Sequence, residues 1–490
     1  MGRKQILFVL ILTLLTILAN RTTRVNVLAQ STLTVHNIDT GLDYDTIQKA
    51  IDAPETADWH TILVDEGTYY EYVTVDKAVN LAGANQNTTV IVSNGTEQVI
   101  SVTASGARIS GFTVRNATWG IDLHYVQNAT VTDNSVINCS YRGIFLYDCS
   151  HSIIANNTVN LTNPEGIEIW SGIDLWNSQE ITIINNTVSG TAHGIYVVNN
   201  STGNTISNNF LTSNPQGIIL SINCNDNLII ENTVTQSDIG AIAMGGNYNN
   251  TIYHNNIINN PKPFFSYSGA INRWDNGEEG NYWNDYTKAD LNEDGIGEAP
   301  YTIDQNNQDN HPLMGAYYNF TVPWQQETHH VIIISNSTIS DFQFNIFNET
   351  KAEKTISFNA TGKDQAAAFC RVTIPTALVN YTQQEYTVLV DGEAVNTTIL
   401  PISNSTHTYL YFKYATSTKH IIIIPEIPPQ LIPFLLVLAT LTITILLKRK
   451  HRAQHHTNQQ TSQQPSETMN TRSKTGCIPT RHNVHKSDSE

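Results

Sequence analysis

Asparagine recurs through the middle of this chain at a nearly constant interval. The repeated residues are Asn134, Asn157, Asn186, Asn209, Asn232 and Asn256. They lie 23, 29, 23, 23 and 24 residues apart, and the step of 29 is a regular step with a six-residue insertion. A repeat of this length is too short for a pair of helices or a propeller blade. It favours one coil of three short parallel strands, stacked on the coils before and after it.

Glycines and apolar residues follow the same interval. The glycines are Gly120, Gly143, Gly172, Gly194, Gly217 and Gly240. After each of the first five, apolar residues occupy every second position, as Ile144 and Leu146 do after Gly143. This alternation is typical of a strand with one buried face. We therefore predict an all-β fold whose main domain, residues 30–315, is a right-handed parallel β-helix.

The asparagine column predicts a ladder of side-chain amides, each bonded to the amides above and below it, because such a ladder satisfies a buried polar group. The alternative is that asparagine merely favours turns. That preference alone does not explain apolar residues at fixed offsets from each asparagine.

Both ends of such a stack need a cover, because unpaired strand edges promote aggregation. Residues 45–53 predict a short amphipathic helix over the first coil, with Asp45 as a possible N-cap. Residues 272–313 have lost the repeat and predict the closure of the last coil. Residues 329–425 show strand-like alternation without the repeat, which predicts a small antiparallel β-sandwich.

A candidate calcium loop lies within the closure. It places oxygen ligands at alternate positions before a glycine turn, and its ligands would be Asp290, Asn292, Asp294, Ile296 and Glu298. The glutamate that completes an EF-hand is absent, since Tyr301 stands at that position. A shorter calcium-stabilised turn and a plain loop of Asx turns both stay open.

The two ends of the chain predict export and anchoring. Residues 1–29 read as a signal peptide, with an apolar run over residues 6–18. Residues 427–447 are uncharged, and Lys448, Arg449 and Lys450 follow directly, which predicts a single transmembrane helix with its basic flank inside. Residues 448–490 predict a disordered cytoplasmic tail. The bulk of the chain would then lie on the cell surface, where its many N-x-Ser/Thr sequences favour a glycoprotein.

Charge and cysteine content exclude several classes of function. The net charge is −17, which makes nucleic acid a poor partner. Five cysteines are too few for a disulfide scaffold, although Cys139 and Cys149 lie in one coil and could pair. The sequence contains no C-x-x-C, H-E-x-x-H or Met-rich segment, so no copper or other transition-metal site is visible.

The alternation also predicts an exposed strip of rings and carboxylates along one sheet. Aromatic rings stack on sugar faces and carboxylates bond sugar hydroxyls, so the strip suits a polysaccharide. The alternatives are a contact with a cell-surface protein or simple packing. The predicted ligand-binding residues are His124, Tyr147, Trp170, Trp176 and Tyr196.

An enzyme is the second candidate function. Paired carboxylates can hydrolyse glycosides, and Asp122, Glu168 and Asp174 are the candidates on the strip. Arg142 is the only cation near them in the repeat, and lysine is absent from the strip. We therefore favour a non-catalytic binding protein over a polysaccharide lyase or glycoside hydrolase.

Three stretches resemble the NosD-type β-helix proteins, which have a pectin-lyase-like fold and often occur on archaeal cell surfaces. They are DYDTIQKAIDAPETADWHTILVDEGTYYEYVTVDKAVNLAGAN, the series of GI-x-L and NNTV coils, and WDNGEEGNYWNDYTKADLNEDGIGEAPYTID followed by HPLMG. The resemblance covers roughly residues 33–315 and implies the parallel β-helix. The family takes its name from a periplasmic copper-associated factor. The resemblance therefore implies copper as a further alternative, although no matching cluster of ligands is present in the sequence.

Overall fold

The structure, a computed structural model, describes residues 34–93, 98–161, 171–269, 271–348, 353–363, 367–379, 386–415 and 417–425. The predicted signal peptide, transmembrane segment and tail lie outside these residues, as do Glu168 and Trp170. In the described part of the chain, no helix is long and apolar enough to cross a membrane.

Three long sheets form the β-helix, and each coil contributes one strand to each sheet. Sheet I comprises Leu42–Tyr44, Val35–Asn37, Thr61–Val64, Asn80–Gly83, Arg108–Ser110, Thr130–Thr132, Ile153–Ala155, Thr182–Ile184, Thr205–Ser207, Leu228–Ile230, Tyr248–Tyr253 and Ile271–Arg273. Sheet II comprises Gly67–Tyr69, Thr89–Val92, Thr113–Arg115, Ser135–Ile137, Thr158–Asn160, Thr187–Ser189, Phe210–Thr212, Thr233–Thr235, Asn256–Ile258 and Tyr282–Trp283. Sheet III comprises Val73–Val75, Gln98–Val102, Trp119–His124, Arg142–Tyr147, Ser171–Trp176, His193–Val198, Gln216–Ser221, Gly240–Gly245 and Phe264–Ser268.

The predicted coil register is confirmed through the regular repeats. The strand Arg142–Tyr147 pairs in parallel with Ser171–Trp176, so that Ile144 lies beside Ile173 and Leu146 beside Leu175. These residues are fully buried. Like residues therefore form continuous apolar columns through the inside of the β-helix.

The asparagine ladder is also confirmed at the turn from sheet I to sheet II. The backbone N–H and the side-chain amide of Asn157 both donate to Asn186 Oδ1, at 2.9 and 3.0 Å. Asn186 donates to Asn209 in the same way. The last predicted member is wrong by one residue, because Asn232 donates to Asn255 and not to Asn256. Asn255 in turn donates to Asn281 in the closure.

The glycine column lies at the turn from sheet II to sheet III, where the backbone leaves no room for a side chain. A Cβ on Gly194 would lie 2.5 Å from a methyl of Leu211 and 2.6 Å from the carbonyl oxygen of Gly217. The last predicted member is again displaced. Gly240 pairs with Gln216, so that Ala241 lies beside Gly217 in the column.

The cover of the first coil is the helix Ile47–Asp52, whose buried residues are Ile47, Ala50 and Ile51. Its N-cap is Thr46 and not Asp45, since Thr46 Oγ1 accepts the N–H of Lys49. Asp45 instead forms an exposed ion pair with Lys49.

The closure contains the two-stranded sheet Tyr301–Thr302 and Gln308–Asp309. Two antiparallel sheets follow it. One comprises Ala316–Trp324, Glu327–Ser335, Ala367–Pro375, His407–Ala415 and Thr397–Ile399, and the other comprises Thr338–Asn348, Glu353–Thr361, Thr418–Pro425, Tyr386–Val390 and Glu393–Val395. A shared core, which includes Val331, Phe358, Val372 and Phe412, lies between them. We call this part the antiparallel domain.

Candidate functional site

The outer face of sheet III gathers the residues that the sequence singled out. Parallel pairing places Asp122 beside Phe145, Phe145 beside Asp174 and Asp174 beside Tyr196. A second file runs from His124 through Tyr147 to Trp176. We call these two files, with Arg142, the sheet III face.

The two carboxylates on this face are buried, which differs from the exposed strip that alternation suggested. Asp122 and Asp174 are fully buried, and Phe145 is only 4% exposed. Alternation determines the side of the sheet on which a residue lies, but its exposure also depends on the side chains beside it. Here the large neighbours in adjacent coils cover the carboxylates.

Arg142 is the central side chain among those that cover the carboxylates. Its Nε lies 2.8 Å from an oxygen of Asp174. Its guanidinium carbon lies 4.0 Å from the ring centroid of Phe145 and 4.9 Å from that of Tyr141. The cation is thus held between a carboxylate and two ring faces. Burial raises the pKa of Asp174 to about 6, although the neighbouring Arg142 opposes the shift.

Asp122 takes part in a separate polar group. Its carboxylate accepts a hydrogen bond from Gln98 Nε2 at 2.8 Å, and its other oxygen lies 2.8 Å from His124 Nε2. The hydrogen bond to Asp122 raises the pKa of His124, although partial burial opposes this. The ring of His124 stacks on Tyr147, with 5.5 Å between the centroids.

Partly exposed rings form the accessible part of the sheet III face. Four of these side chains are partly exposed, namely those of His124, Tyr147, Trp176 and Tyr196. Tyr125 joins them, since it is 69% exposed and its ring lies 5.5 Å from that of Tyr147. Sequence analysis missed Tyr125 because its positive φ of 58° ends the alternation just after His124.

The candidate calcium loop is folded around its own oxygens. Asp290 accepts the N–H groups of Asp294 and Gly295, and Asp294 accepts that of Ile296. The carboxylate of Glu298 accepts the N–H groups of Leu291 and Asn292. Burial raises the pKa of Asp290, and the nearby carboxylates of Asp294 and Glu298 contribute to this increase. The bond from Ile296 to Asp294 is an Asx turn, and the other bonds close the loop around it. Among the described residues no group of three His, Cys, Asp or Glu side chains is arranged to hold a metal ion, and calcium binding stays a prediction.

The cysteines do not form the disulfide that sequence allowed. Cys139 and Cys149 are free and buried, as are Cys224 and Cys370. Burial raises the pKa of Cys139 to about 12 and that of Cys149 to about 11. Both thiols therefore stay protonated at neutral pH.

Comparison with known proteins finds a family model and a relative that are similar to part of this chain. A family model described as "Periplasmic copper-binding protein (NosD)" matches residues 63–216 and 168–288. Together the two matches span most of the β-helix but less than half of the chain. A cell surface glycoprotein from Methanothermus fervidus is 27% identical over 198 aligned positions, and the match covers 34% of this chain and 33% of that protein. The chain thus spans about a third of the length of this relative.

Solved structures similar to this β-helix include three proteins. The A-module of a mannuronan C-5 epimerase from Azotobacter vinelandii has a TM-score of 0.35 and 18% identity, over 44% of this chain and 73% of that one. An alginate lyase from Paenibacillus has a TM-score of 0.31 and 15% identity, over 46% of this chain and 95% of that one. The catalytic domain of an α-1,3-glucanase has a TM-score of 0.27 and 17% identity, over 43% of this chain and 40% of that one. Similarity at this level carries no information about function.

The copper in the family's description does not fit the described residues. Among them, no three His, Cys, Asp or Glu side chains lie close enough together to hold a metal ion. Copper(I) prefers thiolate and thioether ligands. The four described cysteines are buried, and burial raises the pKa of each to about 11 or 12.

Proposed function

We propose that this protein is a cell-surface β-helix protein that binds polysaccharide on the sheet III face without cleaving it. The main support is the row of partly exposed rings in three adjacent coils, His124, Tyr147 and Trp176. The solvent-facing parts of these rings offer contact surfaces for successive sugar units. The name of the Methanothermus fervidus relative supports the location at the cell surface.

The rings are held in place by the groups beneath them. The His124 ring is fixed by Asp122 on one side and by Tyr147 on the other. Tyr147 and Trp176 lie directly beside each other in paired parallel strands. A binding surface that is already ordered before the ligand arrives loses little side-chain entropy on binding.

The burial of the two carboxylates favours binding over catalysis. A general acid or base must come within hydrogen-bond distance of the reacting group. The side chain of Asp174 is fully buried and paired with Arg142, while that of Asp122 is 1% exposed and bonded to Gln98 and His124. Both carboxylates therefore serve to position neighbouring side chains.

The test uses the full chain and a panel of acidic and neutral polysaccharides. Retention by each polymer and the release of new chain ends are measured together. Trp176→Ala should weaken retention about tenfold, the loss expected for one stacked ring. Phe210→Ala is the control, because Phe210 is an exposed ring on sheet II of the same β-helix.

Two results would overturn the proposal. New chain ends that disappear in Asp174→Asn would show a lyase or hydrolase. Equal retention by wild type and Trp176→Ala would remove the sheet III face as the binding site. A contact with a cell-surface protein would then become the leading explanation for its exposed rings.

A further inference from the structure

We infer that Trp59 and Arg108 form a second ligand site, on sheet I, for a negatively charged sugar. Trp59 precedes the strand Thr61–Val64, and Arg108 begins the strand Arg108–Ser110. A cleft of about 280 Å³ lies between them, and its lining also includes Thr61, Asn80 and Gly106. It belongs to a different sheet from the sheet III face and does not depend on the function proposed there.

Trp59 combines exposure with an unfavourable backbone. Its side chain is 69% exposed. Its φ is 71°, a left-handed conformation in which a bulky residue is a genuine outlier. Left-handed residues also occur at many coil turns of this β-helix, among them Tyr125 and Ile222, so the conformation of Trp59 does not by itself mark a site. The exposure of such a large ring beside a cleft is the observation that suggests one.

The local structure holds the Trp59 ring in one position. The N–H of Trp59 donates to the carbonyl of Ala78 at 2.8 Å. The ring lies against Gly106, where a Cβ would come within 2.8 Å of its Cη2 atom. Gly106 has a φ of +82° and donates its N–H to Gln127. The glycine therefore provides the space that this edge of the ring occupies.

The floor of the cleft is polar and carries one positive charge. Thr61 pairs with Asn80, and Asn80 with Arg108, so that the three residues form one file across neighbouring strands. Within the described residues, no carboxylate forms an ion pair with Arg108. An unpaired guanidinium can bind an anion locally, even though the net charge of −17 repels polyanions from the protein as a whole. Its planar fork suits a carboxylate or a sulfate ester.

Together these features specify the ligand chemistry. The ring of Trp59 offers a face for stacking, Asn80 and Thr61 offer hydrogen bonds to hydroxyls, and Arg108 offers a charge-assisted bond. Most small-molecule pockets measure about 300–1,000 Å³. A cleft just below that range suits one charged sugar unit, with the rest of the polymer in solvent.

The test measures the affinity of the full chain for three polymers by isothermal titration calorimetry. Polygalacturonate carries carboxylates, dextran sulfate carries sulfate esters, and unmodified dextran is the neutral counterpart of dextran sulfate. All variants are made in a Trp176→Ala background, so that a contribution from the sheet III face is removed. A failure of the first proposal then leaves this measurement interpretable.

We expect one or both charged polymers to bind more tightly than dextran, and the comparison between them identifies the anionic group. Trp59→Ala should weaken this binding about tenfold, while Trp59→Phe, which keeps a ring, should lose less. Arg108→Gln should reduce the affinity for the charged polymer to that for dextran. Arg273→Gln, which removes an exposed arginine from the last strand of sheet I, should have no effect.

Three outcomes would overturn the inference. They are equal binding of charged and neutral polymers, unchanged affinity in Trp59→Ala with an unchanged melting temperature, and an equal loss in Arg273→Gln and Arg108→Gln. The last outcome would show that the general field of the protein, and not this cleft, attracts the polymer.

Discussion

Arg371 of the antiparallel domain and Glu279 of the β-helix closure form a buried ion pair, with 2.7 Å between Nη2 and Oε1. Arg371 is 1% exposed. Glu279 also bonds His254 at 2.7 Å, and the His254 ring stacks on Tyr317 of the first antiparallel strand at 4.0 Å. Asn256, displaced from the ladder, exchanges two hydrogen bonds with the backbone of Tyr317. These contacts join the two domains.

Glu279→Gln should lower the stability of the β-helix and the antiparallel domain that it joins. The substitution leaves the guanidinium of Arg371 buried without its counter-charge, and breaking such a pair costs about 3–5 kcal/mol. Chemical denaturation measures the change in the free energy of unfolding. Glu278→Gln, which changes the exposed neighbouring carboxylate, is the control. Equal stability of the two variants would show that the pair contributes nothing.

Low pH should weaken the same ion pair between Glu279 and Arg371. Burial would raise the pKa of Glu279, but the hydrogen bond from His254 and the charge of Arg371 lower it below its ordinary value. A depressed carboxylate pKa contributes stability above the ordinary pKa, and this contribution is lost as pH falls through the folded-state value. Wild type should therefore lose stability in acid more steeply than Glu279→Gln. Parallel pH profiles of the two proteins would contradict this.

Asn209→Ala should interrupt the amide ladder. Asn209 Oδ1 accepts two hydrogen bonds from Asn186, so the substitution leaves the buried backbone N–H of Asn186 without its acceptor. The side-chain amide of Asn186 keeps the carbonyls of Ile154 and Ile184. A buried group left unsatisfied costs about 1–3 kcal/mol. The control is Asn208→Gly, an exposed neighbour whose positive φ glycine accepts. The ladder is not stabilising if thermal unfolding of both variants follows that of wild type.

Gly194→Ala should destabilise the corner between sheets II and III. The added methyl would come within 2.6 Å of the Leu211 side chain and the Gly217 carbonyl. Forcing extra atoms into a packed interior costs about 1–3 kcal/mol. A Cβ added at Gly269 would lie 3.7 Å from its nearest neighbour, so Gly269→Ala is the matched control. A melting temperature that falls equally in both would argue against the steric explanation.

Calcium should raise the melting temperature if it binds the loop at Asp290. The ion would offset the mutual repulsion of the carboxylates of Asp290, Asp294 and Glu298. Calorimetry is run with calcium, with a chelator, and with Asp294→Ala, which should lose the calcium response. Identical melting temperatures in calcium and chelator would leave a plain loop of Asx turns.

His124 should make the stability depend on pH near neutrality. The bond to Asp122 raises the pKa of His124 above its ordinary value of 6.5. Its contribution is therefore fully present below pH 6.5 and is lost as pH rises through the folded-state pKa. The stability difference between wild type and His124→Asn should be larger at pH 5 than at pH 8. The control is His151→Asn, which removes an exposed pair with Glu180, a kind of contact that contributes little.

The periodic part of the molecule could be predicted because each coil repeats the same pattern of asparagine, glycine and apolar residues. Asn157 and Asn186 lie in one ladder, as their spacing and flanking apolar residues required. The prediction failed by one residue at Asn256 and Gly240, where the coils change length. Two adjacent asparagines satisfy the sequence pattern equally well there. Only the hydrogen bonds of the next coil choose Asn255.

Sequence analysis missed a second amide ladder, because different residue types occupy the equivalent position in successive coils. Asn204 donates to Asn227, and Asn227 donates to Asn250, at the turn from sheet III to sheet I. Earlier coils place Ser152 and Ile181 at that position, so no single residue type marks the column. The contacts of Arg371 and Glu279 escaped for a different reason, since the two residues are 92 positions apart in the chain.

By itself, the sequence determined the coil, its three strands and the inward or outward direction of each side chain, because these depend on residue type at short and regular spacing. Tertiary structure alone decided which outward groups meet solvent. Asp122 and Asp174 point outward in the pattern yet are fully buried, since Gln98 and Arg142 from neighbouring coils, and His124 from the strand of Asp122 itself, lie against them. The repeat specifies which positions stack in adjacent coils, but exposure also depends on how far each side chain extends over its neighbours in space.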